Sequence, residues 1–74
     1  MKEKVRSLLE RVVPLVDVDS VFLFAELDSL GVMAILMALS EEFGIELDAT
    51  DATPRNLRNT DSIVAMVQAK LDSK

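Results

Sequence analysis

The chain has 74 residues, which is enough for one small domain. It contains no cysteine and no histidine, which excludes zinc fingers, thiol catalysis, Ser-His triads and disulfide cross-links. Its net charge is −5, 50% of its residues are hydrophobic, and 3 phenylalanines are its only aromatic residues, a composition that favours an aliphatic helical bundle. We predict a single domain over residues 1–74 with no metal site.

An amphipathic helix is the first predicted element, over residues 2–13. Pro14 is expected to end it, since proline removes a backbone donor. Its apolar residues recur at steps of three and four: Val5, Leu8, Leu9, Val12 and Val13. The segment lacks a signal-peptide pattern, and no apolar run in the chain reaches the ~18 residues of a membrane span. We therefore expect a cytoplasmic protein without a membrane span.

A long connection is predicted over residues 17–28. Its middle is too apolar to lie wholly in water, so we expect its aromatic residues, Phe22 and Phe24, to plug the bundle. Asp17 and Asp19 have the first spacing of a calcium loop, but Phe22 stands where such a loop needs glycine. The sequence therefore does not predict a calcium site.

The second predicted helix covers residues 29–43. Asp28 and Ser29 are both good N-cap residues, and Gly44 suits the position just after the helix. The helix is too apolar for a single stripe. One face is expected in the core: Val32, Ile35, Leu36, Leu39 and Phe43.

An adjoining face of the same helix carries Leu30, Met33 and Met37. Two interpretations remain open. Either this is a central helix covered on several sides, or the three residues stay partly exposed as a strip that docks partners. Methionine suits such a strip because its side chain is flexible and polarizable.

The rest of the chain predicts two further elements. Thr53 and Pro54 open a short helical turn that runs through Arg58. A last helix, capped by Asn59 or Thr60, covers residues 60–71. The predicted fold class is all-α: a small four-helix bundle with three main helices and a short third helix.

Acidic residues dominate the middle of the chain. Between Arg11 and Arg55 there is no lysine or arginine. The same span contains nine acids: Asp17, Asp19, Glu26, Asp28, Glu41, Glu42, Glu46, Asp48 and Asp51. A surface of one sign repels nucleic acid and attracts basic partners, whereas the simpler interpretation is solubility.

Ser29 stands between an acidic residue and the apolar run of the second helix. A serine at a helix start is usually a cap. The same position, however, offers free N–H groups and the positive end of the helix dipole, which favour a phosphate ester. The chain has no evident base to activate the hydroxyl, so Ser29 would be the substrate of another enzyme, and the chain itself is not expected to be an enzyme.

The residues Asp28-Ser29-Leu30 at the head of this helix, followed by an apolar run and "MALSEEFGIEL", resemble the acyl carrier proteins. The resemblance implies a helical bundle in which a phosphopantetheinyl transferase attaches 4′-phosphopantetheine, taken from coenzyme A, to Ser29. Asp28 and Leu30 match the residues that flank the modified serine. The residues implied or expected to face partners are Leu30, Met33, Met37, Glu41 and Glu42.

The resemblance also implies a function. Acyl or aminoacyl groups would be carried as thioesters on the arm by a monomer that meets loading ligases, acyltransferases and synthases. Gly31, Ala34 and Ser40 stand where carriers of fatty acid synthesis often have acidic residues. A specialised biosynthetic pathway is therefore expected. The alternative is an unmodified acidic helical adaptor that binds a basic protein.

Overall fold

A computed structural model describes residues 1–73 of the chain as a helical bundle without strands. Its three α-helices are α1 (Lys2–Val12), α2 (Ser29–Phe43) and α3 (Thr60–Asp72). Two short 3-10 helices, Leu23–Glu26 and Ala49–Asp51, lie in the connections. Helix α1 packs against both α2 and α3. The predicted all-α bundle is confirmed.

Local signals in the sequence explain where α2 begins and ends. The Asp28 carboxylate accepts a hydrogen bond of 2.7 Å from the N–H of Gly31, which caps the first turn. Gly44 ends the helix in the left-handed region with φ of 63°, a conformation that favours glycine. The observed bounds of α2 are therefore those predicted.

The core is formed by the inward faces of the three helices together with residues from the connections. From α2, Ile35, Leu36 and Leu39 are buried, as predicted, while Val32 and Phe43 are partly buried against the same cluster. The other buried hydrophobic residues are Val5, Leu8, Leu9, Val13, Val18, Leu23, Ile45, Leu57, Ile63, Met66 and Val67. The connections thus supply five of the residues that close the bundle: Val13, Val18, Leu23, Ile45 and Leu57.

The residue that is fully buried from the connection before α2 is aliphatic, so the prediction of an aromatic plug is wrong for Phe22 and holds only in part for Phe24, which packs partly buried against the core. Leu23 is fully buried, whereas Phe22 is 61% exposed and Phe24 is only partly buried. The N–H of Leu23 donates a 2.7 Å hydrogen bond to the carbonyl of Arg58, which fixes the backbone. With Leu23 held inward, the side chain of its neighbour Phe22 projects outward.

The predicted short third helix is observed as a turn. The N–H of Leu57 donates to the carbonyl of Thr53 at 3.0 Å, and the Thr53 hydroxyl accepts from the N–H of Asn56 at 3.0 Å. The turn does not extend into a regular helix, because Asn59 already caps α3 through the N–H of Ser62 at 2.8 Å. Its buried Leu57 still anchors the segment to the core.

Candidate functional site

Ser29 is the first residue of α2, and its side chain is exposed. The cap of the helix is Asp28, whose carboxylate binds the first turn. No hydrogen bond joins the Ser29 hydroxyl to any of residues 1–73. Because Asp28 and not Ser29 caps the helix, the Ser29 hydroxyl remains accessible and has no hydrogen-bond partner within residues 1–73.

The start of α2 also presents unused backbone donors. The N–H of Gly31 goes to the Asp28 carboxylate, and the N–H of Val32 goes to the Asp28 carbonyl at 2.9 Å. The N–H groups of Ser29 and Leu30 come too early in the helix to have an intrahelical acceptor. Two free donors and the positive end of the dipole therefore lie beside the Ser29 hydroxyl, where they favour an anionic group.

Gly31 allows the cap to close tightly over this helix start. A Cβ atom at position 31 would lie 3.1 Å from Asp28 Oδ1, closer than ordinary van der Waals contact, and 3.6 Å from Val13 Cγ1. The missing side chain thus lets the carboxylate approach the first turn. Acyl carriers often have an acidic residue at this position, where this chain has Gly31.

An apolar strip runs along α2 from the serine and consists of Leu30, Met33 and Met37. These side chains are 82%, 52% and 63% exposed, respectively. The structure therefore shows this face exposed, while its docking of partners stays a prediction. Large exposed hydrophobic side chains on one face are typical of interaction surfaces.

The two glutamates near the end of α2 are in different electrostatic situations. Both side chains are exposed. Glu42 forms an ion pair with Lys4 at 3.3 Å, and the Lys4 ammonium also lies 5.5 Å from the centre of the Phe43 ring. Glu41 has no ion pair within residues 1–73, so its charge is fully available to a partner.

In the folded chain, basic residues from the two ends form ion pairs with acids of the acidic middle. Lys4 pairs with Glu42, Arg6 with Asp19, and Lys70 with Asp51. The other six acids of the span form no ion pair in the described part of the chain: Asp17, Glu26, Asp28, Glu41, Glu46 and Asp48. The negative surface is consequently weaker than the sequence suggests, but it persists near both ends of α2, at Glu26 and Asp28 and at Glu41 and Glu46.

The two aspartates of the rejected calcium loop have protein partners. Asp17 accepts a 3.0 Å hydrogen bond from the N–H of Asp19, and the carboxylate of Asp19 binds Arg6. Across the described residues there is no group of three or more acidic residues placed to hold a metal ion. None of the described helices is long and apolar enough to cross a membrane.

One feature that sequence reasoning missed is a cavity of about 410 Å³ beside the first 3-10 helix. It is lined by Phe22, Phe24, Ala25, Pro54, Arg55 and Arg58. These residues come from two connections separated by α2. The spacing within either connection does not indicate a shared site, although both arginines were visible as the first bases after the acidic span.

A small helical bundle with an accessible serine at the capped start of its second helix is the architecture of a carrier domain. The family model described as "Phosphopantetheine attachment site" matches residues 1–68. This range covers most of the chain, and the chain therefore belongs to the phosphopantetheine-attachment family.

Members of this family carry a covalently attached 4′-phosphopantetheine group and serve as non-catalytic carriers that meet modifying and biosynthetic enzymes. Comparison of the chain with curated proteins and with solved structures finds no significant match.

Proposed function

We propose that this protein carries acyl or aminoacyl groups as thioesters on a 4′-phosphopantetheine arm attached to Ser29 and presents them to partner enzymes in a specialised biosynthetic pathway. The observation that carries the proposal is the exposed Ser29 hydroxyl, which has no partner within residues 1–73, at the start of α2 in a chain of this family. When bound, the arm supplies the thiol that this cysteine-free chain lacks.

Attachment is a transfer onto the serine oxygen by a phosphopantetheinyl transferase. The Ser29 oxygen forms a new bond to the phosphorus that bears the pantetheine, the pyrophosphate bond of coenzyme A breaks, and adenosine 3′,5′-bisphosphate leaves. No histidine or cysteine exists in the chain to accept the hydroxyl proton, so the transferase supplies the base. Ser29 is a substrate in this reaction.

The residues on either side of Ser29 have distinct parts in the proposal. Asp28 holds the first turn and orients the serine through its 2.7 Å bond to the Gly31 N–H. The free N–H groups of Ser29 and Leu30 would face the phosphodiester and offset its charge, which otherwise lies next to the Asp28 carboxylate. The exposed Leu30 side chain would contact the enzyme that modifies its neighbour.

Partner enzymes would meet the surface that extends along α2 from Ser29. The exposed apolar strip supplies short-range contact, and Glu41 and Glu42 attract enzymes with basic patches. The proposed partners are the transferase, acyl- or aminoacyl-loading ligases, and acyltransferases or synthases. Such complexes should be weak and short-lived, because a carrier has to leave after each transfer.

The pathway, oligomeric state and location of the protein are part of the same proposal. Gly31, Ala34 and Ser40 make this side of α2 less acidic than is usual for carriers of fatty acid synthesis, which supports a specialised pathway. We further propose a monomeric, cytoplasmic, non-enzymatic protein whose residues 1–74 form one carrier domain. Its acidic surface is unsuited to nucleic acid.

The decisive experiment is intact-mass spectrometry after incubation with coenzyme A and a broad-specificity phosphopantetheinyl transferase. The wild-type protein should gain the mass of one arm, Ser29→Ala should gain none, and Ser7→Ala, which removes another exposed serine, should behave as wild type. Circular dichroism of each variant verifies that the fold is intact.

A wild-type chain that stays unmodified by several transferases, each shown to be active on another carrier, would contradict the proposal. The unmodified acidic adaptor would then be the better description. Modification of a serine other than Ser29 would keep the carrier function but overturn the site.

A further inference from the structure

The cavity beside the first 3-10 helix has the features of a small-molecule site. Its volume of about 410 Å³ lies within the roughly 300–1,000 Å³ typical of such sites. Its lining is mostly apolar, from Phe22, Phe24, Ala25 and Pro54, and also includes Arg55 and Arg58. We name it the arginine pocket.

The two arginines of this pocket are not neutralised by the rest of the described chain. Neither Arg55 nor Arg58 forms an ion pair within residues 1–73, although four other basic residues of this acidic protein do. The Arg58 guanidinium lies 5.9 Å from the centre of the Phe22 ring, which keeps it over the apolar wall. No acidic residue lines the pocket. An apolar group that ends in an anion would therefore complement it.

The pocket is within reach of a group tethered to Ser29. Ala25 lines it and precedes Ser29 by four residues, so covalent geometry limits the distance between their Cα atoms to at most about 14 Å. From its bond lengths, an extended 4′-phosphopantetheine arm spans on the order of 15–20 Å. The end of the arm can therefore bring an attached group to the pocket without any change in the bundle.

We propose that the arginine pocket holds the acyl group carried by this protein, and that the preferred cargo has a carboxylate at the end distant from the thioester. The inference rests on the proposed attachment of the arm to Ser29. The carbon chain of the cargo would contact Phe22, Phe24 and Ala25, and its terminal carboxylate would pair with Arg55 and Arg58. The effect is selection among cargoes by charge.

The test compares two cargoes of matched size on the intact protein. A transferase loads Ser29 from coenzyme A analogues that carry either an adipoyl group or its monomethyl ester, each through a stable amide bond in place of the thioester. Intact mass first verifies that both cargoes are attached. The terminal carboxyl carbon of the adipoyl group is labelled with ¹³C so that its pKa can be read by NMR.

Pairing with two guanidinium groups should lower the pKa of the cargo carboxyl. In the Arg55→Gln/Arg58→Gln double variant this pKa should rise by about 0.2–0.7 of a unit, the change that corresponds to the 1.5- to 5-fold effect of exposed ion pairs. Arg11→Gln is the matched control, since Arg11 is also exposed and without an ion pair in the described chain but lies outside the pocket. It should leave the cargo pKa unchanged.

Backbone amide shifts locate the cargo independently of the titration. The adipoyl group should shift the amides of Ala25 and Arg58 more than the methyl ester does, and 1 M salt should reduce the difference because it screens the charges. Ala25→Leu, which adds bulk to the apolar wall, should weaken the shift at the Arg58 amide while leaving both arginines in place.

The outcomes distinguish failure of the carrier function from failure of the arginine pocket. Failure of Ser29 to gain mass would overturn the carrier function and the pocket together. Efficient loading with the same cargo pKa in the wild-type protein and the Arg55→Gln/Arg58→Gln variant would overturn the pocket alone. Equal amide shifts from both cargoes would show an apolar site without charge selection, which also contradicts the proposal.

Discussion

The two faces of α2 are both apolar but lie in opposite environments. On one face, Ile35 and Leu39 are fully buried between the three helices. On the other, Leu30 and Met37 are 82% and 63% exposed. Hydrophobicity alone therefore does not say what a residue of this helix does. The helices packed against α2 decide which apolar side chains stabilise the fold and which remain available to partners.

Leu39→Ala should have the largest effect of the changes considered, because it leaves a hole in a fully buried position. A loss of about 2–5 kcal/mol in the free energy of unfolding is expected, measured by urea denaturation. Met37→Ala on the exposed face should change stability by less than about 0.5 kcal/mol. Equal losses in both variants would contradict the assignment of the two faces.

Asp28→Ala should have the next largest effect, since it removes the cap at the point where both faces of α2 begin. The expected loss of stability is about 1 kcal/mol. Asp28→Asn, which keeps an oxygen acceptor, should recover most of it. Ser29→Ala should cost less than Asp28→Ala in the same denaturation experiment, because the Ser29 hydroxyl makes no hydrogen bond within residues 1–73. A larger loss in Ser29→Ala would indicate a structural serine and weaken the proposed site.

Charge reversal at the far end of the strip should affect function without a comparable effect on stability. Glu41→Lys/Glu42→Lys should slow modification of Ser29, and the defect should shrink as salt rises. Of the single variants, Glu41→Lys should have the larger effect, about 1.5- to 5-fold in rate, because Glu42 is already paired with Lys4.

Glu46→Lys makes the same change in net charge as Glu41→Lys, but at an exposed residue beyond α2, and serves as the control for that single variant. The measurement is the initial rate of mass gain at low and high salt. A defect that does not depend on salt would indicate altered structure, and an equal defect in Glu46→Lys would indicate an effect of net charge alone.

The sequence predicted α2 well because its boundaries depend on local signals. Asp28 caps the start and Gly44 ends the helix, and both act on neighbouring residues in the chain. The cap of α3 is also local: the sequence predicts Asn59 or Thr60, and the structure has Asn59. The sequence could not decide between burial and exposure of Leu30, because its exposure depends on where the other helices pack.

Features that join distant parts of the chain were harder to predict. The inward turn of Leu23 depends on its hydrogen bond to the carbonyl of Arg58, 35 residues later (58 − 23). The arginine pocket likewise needs both connections folded together. The pairing of Lys4 with Glu42 also weakens an acidic surface that looked uniform in the sequence. Composition predicts that such contacts exist but not which residues make them.

The smallest expected effect concerns an exposed ion pair between α1 and the connection before α2. Arg6 donates to both carboxylate oxygens of Asp19, at 2.9 and 2.7 Å, and this hydrogen bonding holds the pKa of Asp19 below its ordinary value of 3.8. Because the pKa is lower in the folded than in the unfolded chain, the pair stabilises the fold above about pH 4, and the contribution is lost as pH falls through the folded value.

Asp19→Asn should therefore lower stability slightly at pH 6 and by less at pH 3, as measured by urea denaturation at both values, with Glu3→Gln on α1, the helix that carries Arg6, as the control. Unlike the two faces of α2, this pair lies wholly at the surface, where water and salt screen it. A large loss at pH 6 would mean that the connection depends on this pair for its position, and that Leu23 alone does not anchor it to the bundle.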